Sequence, residues 1–458
     1  MVKNLKLIAL FLTLVISIFS VNAQTVLGTA KTEGFQVANS SFDDWGGAAY
    51  DGKEMPAVWN VANVTQVGMK FPVIDKVEGR TGNAVKMRET KVGAVGIFEV
   101  SPSWITLGMP WTELPSITEV KKATAGTSGG IKFTARPDTM TIWVKREATN
   151  TKNLDGDFVG DSVNFNLVYY SWIGTSKGAS YKGKNNDCTK ISDASKTTNE
   201  ESDIRWDTDR NECQRLQAAT QVAEGAYRSY TKTISQWTKI KVPIEYKGNE
   251  KPEMMNIILS ASNYPNKRSQ TGLAEGNSLI VDDLELIYSS KIHELRLGGE
   301  KYNEFTANKY EYTYILPVSS DVATIKDIPA ITAFRSGRQL NSNELTITKA
   351  AKLGDPTIIT VKAEDGSSTT IYTIYFKPAL SENSRLSNIY VNGTPIQGFT
   401  GYKSDYDVTL PYASKEAVIT VDKGHEAQTV EITSCENFPC KAVVKVTAEN
   451  KDYTTTYN

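Results

Sequence analysis

The sequence predicts an all-β chain built from antiparallel sandwiches, and three observations carry that expectation. Apolar and polar residues alternate with period two through many short runs, Gly, Pro, Asn and Asp break those runs, and helical windows are scarce. The last third of the chain also repeats itself in units of about 90 residues, the size of a whole sandwich domain.

At the N-terminus, Lys3 and Lys6 precede an apolar stretch over residues 7–19, and Val21-Asn22-Ala23 offers small residues before Gln24. That is the pattern of a secretory signal peptide, cleaved near Ala23-Gln24. No cysteine stands at the cleavage point, which argues against a lipid anchor there. No later run approaches the roughly 20 apolar residues of a membrane-spanning helix. Export as a soluble chain, to the periplasm, cell surface or medium, is the expectation.

Bulk properties narrow the function classes. Lys+Arg 51 against Asp+Glu 52 is a balanced surface, unlike the basic face of a dedicated nucleic-acid binder. The two histidines are His293 and His425, so residues 24–292 hold none. A Ser-His-Asp triad, a Cys-His pair and a His-ligated zinc are thereby excluded from that segment. Four cysteines in an exported chain suggest two disulfides, and proximity pairs Cys188 with Cys213 and Cys435 with Cys440. Loop entropy makes them worth about 3.5 and about 2 kcal/mol respectively.

The strands follow in order. Residues 139–145 (TMTIWVK) set Met140, Ile142 and Val144 against Thr141, Trp143 and Lys145. Residues 163–172 place Val163, Phe165, Leu167 and Tyr169 on one face; residues 239–246 turn Ile240, Val242, Ile244 and Tyr246 inward; residues 255–262 follow. Residues 174–209 are polar and read as a long loop insertion, and residues 211–226 alone suit a short helix. Residues 278–288 (SLIVDDLELIY) read as the closing strand, with Asp282 on one row with Ile280, Leu284 and Leu286. A buried ionised Asp is costly unless a cation or several donors satisfy it. A bulge at Asp282-Asp283 would exchange the two carboxylates.

From residue 291 the repeat begins. Leu297, Gly299, Phe305, Tyr312 and Pro317 match Val391, Gly393, Phe399, Tyr406 and Pro411 at one constant offset, and VKAEDGSSTTIYTI (361–374) matches VTAENKDYTTTYN (446–458). The first copy runs on past Tyr372 with Thr373-Ile374-Tyr375-Phe376, whereas the sequence stops one residue after the matching Tyr457. The chain is either abbreviated there or continues beyond, and an open edge of this kind is a template for a partner strand.

These segments carry two resemblances. Phe42-Asp43-Asp44-Trp45, Trp59, GRTGNAVKM (79–87), ARPDTMTIWVKR (135–146), QWTKIKVPIEY (236–246) and NSLIVDDLELIY (277–288) resemble, in order and spacing, a carbohydrate metabolism domain of exported Bacteroidetes proteins. That family is similar to jelly-roll carbohydrate-binding modules with a galactose-binding-like fold. The two repeats resemble cadherin-like β-sandwich domains, with a mid-strand Tyr before Leu-Pro, then Ala-Glu-Asp and a closing Thr-Thr-x-Tyr. The second copy departs in having Asn450 where the first has Asp365. The expected organisation is a signal peptide (1–23), a jelly roll (24–290) and two Ig-like sandwiches (291–379 and 380–458).

Three constellations bear on function. The jelly-roll resemblance implies a structural calcium between Asp43 near the first strand and Asp282 on the last, with backbone carbonyls completing its six to eight oxygens. A second acidic group, Asp155, Asp157 and Asp161, reads as a turn. Asn164, Asn166, Tyr170 and Trp172 on the outer face of one strand, with Trp143 on a neighbour, compose an aromatic and amide platform for a sugar, or else side chains packed beneath the 174–209 insertion. Trp104, Trp111 and Trp206 are read as loop residues and alternative plates. A glycosidase needs two carboxylates at a set separation, and the sequence singles out no such pair. The combined expectation is an exported, non-catalytic glycan-binding head on two spacer domains, whose partners are a polysaccharide and other surface proteins. The alternative is a structural or adhesion protein without sugar affinity.

Overall fold

The computed structural model describes residues 20–22, 32–46, 49–66, 69–94, 97–113, 124–128, 130–147, 164–173, 180–182, 188–190, 205–207, 220–230, 233–261 and 275–458. Most of the signal peptide, most of the 174–209 insertion, Cys213 and the acidic group at 155–161 lie outside the described residues. The described residues are strands and connecting loops apart from a 3-10 turn at Ile325–Asp327, so the chain is all-β. Among them no helix is long and apolar enough to cross a membrane. The chain divides into two compact units: residues 1–290 with the stretches 334–340 and 362–369, and the remainder of 291–458.

Nine strands frame the first unit: β1 (Ile74–Glu78), β2 (Asn83–Arg88), β3 (Trp104–Thr106), β4 (Thr139–Glu147), β5 (Asn164–Ile173), β6 (Thr220–Tyr230), β7 (Ile234–Pro243), β8 (Met254–Ser260) and β9 (Ser278–Ile287). They form a five-stranded sheet in the order β7-β4-β9-β2-β1 and a seven-stranded sheet. The latter runs Glu245–Tyr246, β6, β5, β8, β3, Asn60–Val61, with Ile131–Lys132 also paired to β8. The described pairs in both sheets are antiparallel.

Period-two alternation explains the core. Met140, Ile142 and Val144 of β4, Phe165, Leu167 and Tyr169 of β5, Ile240 and Val242 of β7, and Leu279 and Val281 of β9 meet in one cluster. Each such aliphatic side chain contributes about 1.5–3 kcal/mol on burial. β8 is buried at every position, because a second layer covers the far face of its sheet. There Ala62, Val100, Trp104, Val168 and Ile258 form a separate cluster with Tyr170 packed on it. The helix expected within 211–226 is corrected over residues 220–226. They belong to β6, whose ladder with β5 runs from Asn164↔Tyr230 to Ile173↔Thr220. Pairing along the whole strand outweighs the weak helical preference of Ala and Glu.

β9 carries the bulge at the expected place. Thr141 pairs with Glu285 but Trp143 with Asp282, so β9 has one residue too many, and Asp283 takes φ 44°. The extra residue changes parity: Leu279 and Val281 face the core before it, Leu284 and Leu286 after it. Asp282 therefore shares the outward row with Ile280 and Trp143, and its expected row with Leu284 and Leu286 is corrected.

In the second unit, the repeat visible in the sequence recurs in the hydrogen bonds. The first copy joins Glu300–Lys301, Glu294–Leu297 and the start of Ile331–Arg335 in one sheet. Its other sheet joins β10 (Glu311–Ser319), β11 (Leu345–Thr348), β12 (Pro356–Lys362) and β13 (Thr369–Ala379) in the order β10-β13-β12-β11. The Tyr372 hydroxyl accepts from Ile292 N at 3.1 Å and donates to Ala307 O at 3.0 Å. In the second copy, the Tyr457 hydroxyl accepts from Leu386 N at 3.2 Å and donates to Gly401 O at 3.0 Å. Phe305 packs 5.3 Å from Tyr312 and Phe399 packs 5.1 Å from Tyr406. Asn450 closes the turn that Asp365 closes in the first copy: Asp452 N donates to the Asn450 side chain and Ser367 N to that of Asp365. The second copy ends in β14 (Val443–Thr447) and β15 (Thr454–Tyr457), and its Cys435 and Cys440 are disulfide-bonded.

Candidate functional site

The far face of the seven-stranded sheet is taken by the second layer, so the open face of the first unit is the outward row of the five-stranded sheet. Trp143 and Lys145 of β4 stand there half-buried, with Lys239, Lys241 and half-buried Trp237 of β7, and Glu285 of β9. Trp237 shares the parity of Lys239 and Lys241, opposite to that of buried Ile240 and Val242. Two cations lie over the two indoles: the Arg80 guanidinium 3.9 Å from the Trp143 ring centre, and Lys145 Nζ 4.8 Å from that of Trp237. Arg80 also pairs with the Asp283 carboxylate, and Lys239 lies 3.6 Å from Glu285.

Arg80 comes from the turn joining β1 to β2, which two carboxylates hold. Asp282 Oδ2 accepts from Arg80 N at 2.6 Å, and Oδ1 accepts from Asp283 N at 2.8 Å. Asp43 Oδ1 accepts from Asn83 N at 2.7 Å, while the Asp43 carbonyl accepts from Asn83 Nδ2 at 3.1 Å. Both glycines of the turn are dictated by this. A Cβ on Gly79 would sit 2.7 Å from Asp282 Oδ2, and one on Gly82, at φ +68°, would sit 1.8 Å from Asp43 Oδ1. The entry segment is fixed by Asn39, whose side chain donates to Asp44 O at 3.0 Å and Ala57 O at 2.9 Å. Leu284 N of the bulge donates to Ser40 O at 2.9 Å. Gln36, Asn39, Ser40, Ser41, Asp43 and Asp44 border a polar hollow of 530 Å³ beside the turn.

Asp282 is fully buried, and burial pushes its carboxyl up to about 6, with the charges of Asp283 and Asp43 adding and the Arg80 amide opposing. Its two oxygens face N–H donors, as does Asp43 Oδ1, so three of the oxygens a calcium would use already accept hydrogen bonds. The carboxylates here act as amide caps. Among the described residues, no group of three or more His, Cys, Asp or Glu side chains is gathered as a metal site requires.

The platform expected on β5 is corrected. Trp172 is fully buried, and its ring lies so close that a Cβ on Gly130 would stand 2.7 Å from it. Tyr170 packs on the second layer. The side chains of Asn164 and Asn166 lie outside the described residues. Trp104 is a buried strand residue, and Trp111 and Trp206 stand on strands, not loops. Of the five expected platform residues, Trp143 is the one on the open sheet face. The structure brings it together with Asp282 and Asp43 through Arg80 and the 79–83 turn. The sequence reading does not single out Arg80 or Trp237; the parity of residues 237–242 points outward for Trp237. The pairing expected for Cys188 and Cys213 falls outside the described residues.

No protein-family model and no curated protein matches the chain. One solved structure similar to it is a putative glycoside hydrolase from Bacteroides thetaiotaomicron, 15% identical with a TM-score of 0.30 over 60% of this chain and 72% of that one. A likeness at that level carries no argument about function.

Proposed function

We propose that the first unit is a glycan-binding head without catalytic activity, and that its ligand lies across the open face of the five-stranded sheet. One observation carries this reading: two half-buried indoles, Trp143 and Trp237, stand on a solvent-facing row among Lys145, Lys239, Lys241 and Glu285. Sugars offer apolar C–H faces and a fringe of hydroxyls. Aromatic rings flanked by ammonium and carboxylate groups suit both. The reading is supported by the convergence at this face of motifs far apart in sequence, around Asp43, Arg80, Trp143, Trp237 and Asp282, which together carry the resemblance to carbohydrate-processing domains. The second unit serves as a spacer. The Cys435–Cys440 disulfide suits the oxidising compartment that the N-terminal signal pattern implies.

Catalysis by Asp282 is disfavoured, since its buried carboxylate has both oxygens engaged by the backbone. A purely structural surface module is the competing reading, and one observation favours it: Arg80, tied to Asp283, covers the ring of Trp143. A glycan array probed with the full chain and with a Trp143→Ala, Trp237→Ala double variant separates the two. Glycan binding holds if the chain binds a defined glycan and the variant loses it while staying folded. Equal retention of both proteins, or no binding by either, refutes it.

A further inference from the structure

The open face of the five-stranded sheet is not evenly charged. Arg80 is paired with Asp283, Lys86 with Glu147 and Arg88 with Asp75. Lys145 of β4 and Lys241 of β7 have no carboxylate partner among the described residues. Lys239 has the 3.6 Å pair with Glu285, and both side chains stand largely in water, where such a pair holds weakly. The carboxylates of Asp43, Asp282 and Asp283 gather toward the 79–83 turn, engaged by amides and by Arg80. The β7 end of the face is therefore a cationic corner built around Trp237.

Three groups in this corner lack a partner suited to them. The Trp237 indole N–H has no acceptor among the described residues. The Thr141 hydroxyl is buried without a hydrogen bond, on a residue that the ladders set between Lys241 and Glu285. The third is the Lys145 ammonium, which lies over the Trp237 ring at 4.8 Å. A neutral sugar that stacks on Trp237 has to displace this ammonium and offers it nothing in return. A sugar bearing a negative group supplies a counter-ion as the ring is uncovered. An ammonium meets a carboxylate or a sulfate alike, as a point charge.

We propose that the glycan bound at this face is anionic, with carboxylate or sulfate groups paired to Lys145 and Lys241 and a sugar ring stacked on Trp237. This rests on the glycan reading of the same face and adds the charge of the ligand. Glu285 then acts as a resident competitor, holding Lys239 until an anionic group of the ligand takes its place.

The test titrates the full chain with two matched pairs of polymers in a calorimeter. Polygalacturonate against its methyl ester isolates the carboxylate, and dextran sulfate against dextran isolates the sulfate. One charged polymer should bind at least about tenfold more tightly than its neutral twin, with the preference shrinking from about 50 mM to about 0.5 M salt. A Lys145→Gln, Lys241→Gln double variant should keep its melting temperature and lose about fivefold or more of that preference. Glu285→Gln, which frees Lys239, should tighten the charged polymer about threefold. Equal binding of charged and neutral twins, lost in the Trp143→Ala, Trp237→Ala variant, leaves the glycan reading standing and overturns the charge assignment. The assignment is also overturned if neither charged polymer binds, if the lysine variant binds as the wild type does, or if polyglutamate binds as tightly as the charged glycans.

Discussion

Replacing Asp282 by asparagine should change how the first unit responds to pH. Asp282 is fully buried, and its carboxyl rises from the ordinary 3.8 to about 6. The folded unit therefore holds that proton more tightly than the unfolded chain does. Its contribution to stability is complete below about pH 4 and is lost as pH rises through about 6. The interval is worth about 3 kcal/mol at this one residue. Other carboxylates act in the opposite sense, such as Asp75, which is held below its ordinary value: burial opposes, and the bonds to Arg88 and Lys53 prevail. The informative quantity is therefore the difference between wild type and variant. The amide of Asp282→Asn cannot titrate, so the variant should gain on the wild type by about 2–3 kcal/mol between pH 4 and pH 7. The eight tryptophans all precede residue 291, so their fluorescence during urea unfolding reports the first unit alone. If the two stability curves run parallel from pH 4 to pH 7, Asp282 is not a buried carboxylate held by amides, and the account of the turn fails.

Gly82→Ala should destabilise the first unit by at least about 2 kcal/mol, because its Cβ collides with Asp43 and its φ is left-handed; a fluorescence-monitored urea midpoint checks this, and an unchanged midpoint refutes the packing of that turn. With Asp43 and Asp282 engaged by N–H donors, a chelator should leave the melting temperature of the first unit unchanged; a fall that calcium reverses would instead assign a structural cation to these carboxylates. Reducing Cys435–Cys440 should cost the second repeat no more than about 2 kcal/mol, as a short loop allows, measured as a melting shift in far-ultraviolet circular dichroism.

Strand parity was readable wherever one face of a strand alone is buried, as at Met140, Ile142 and Val144. It misled at β5, because Val168, Trp104 and Ile258 build a second layer that no local pattern announces. Trp172 looked like an outward plate and is instead interior. At β9 the acidic pair marked the right place, but a one-residue bulge decides which row each carboxylate joins, and alternation alone cannot locate that bulge. Trp237 was within reach, since it keeps step with Lys239 and Lys241. Arg80 was not, because its stacking on Trp143 depends on a turn closed by residues about 40 and 200 positions away. The repeat was the most open to reading: Tyr372 and Tyr457 occupy matching places in the sequence and make matching bonds.

The parallel pairing of β10 with β13 has a mechanical meaning. Tension drawing the start of β10 and the end of β13 apart loads their ladder in shear, so the rungs from Glu311 to Leu316 resist together.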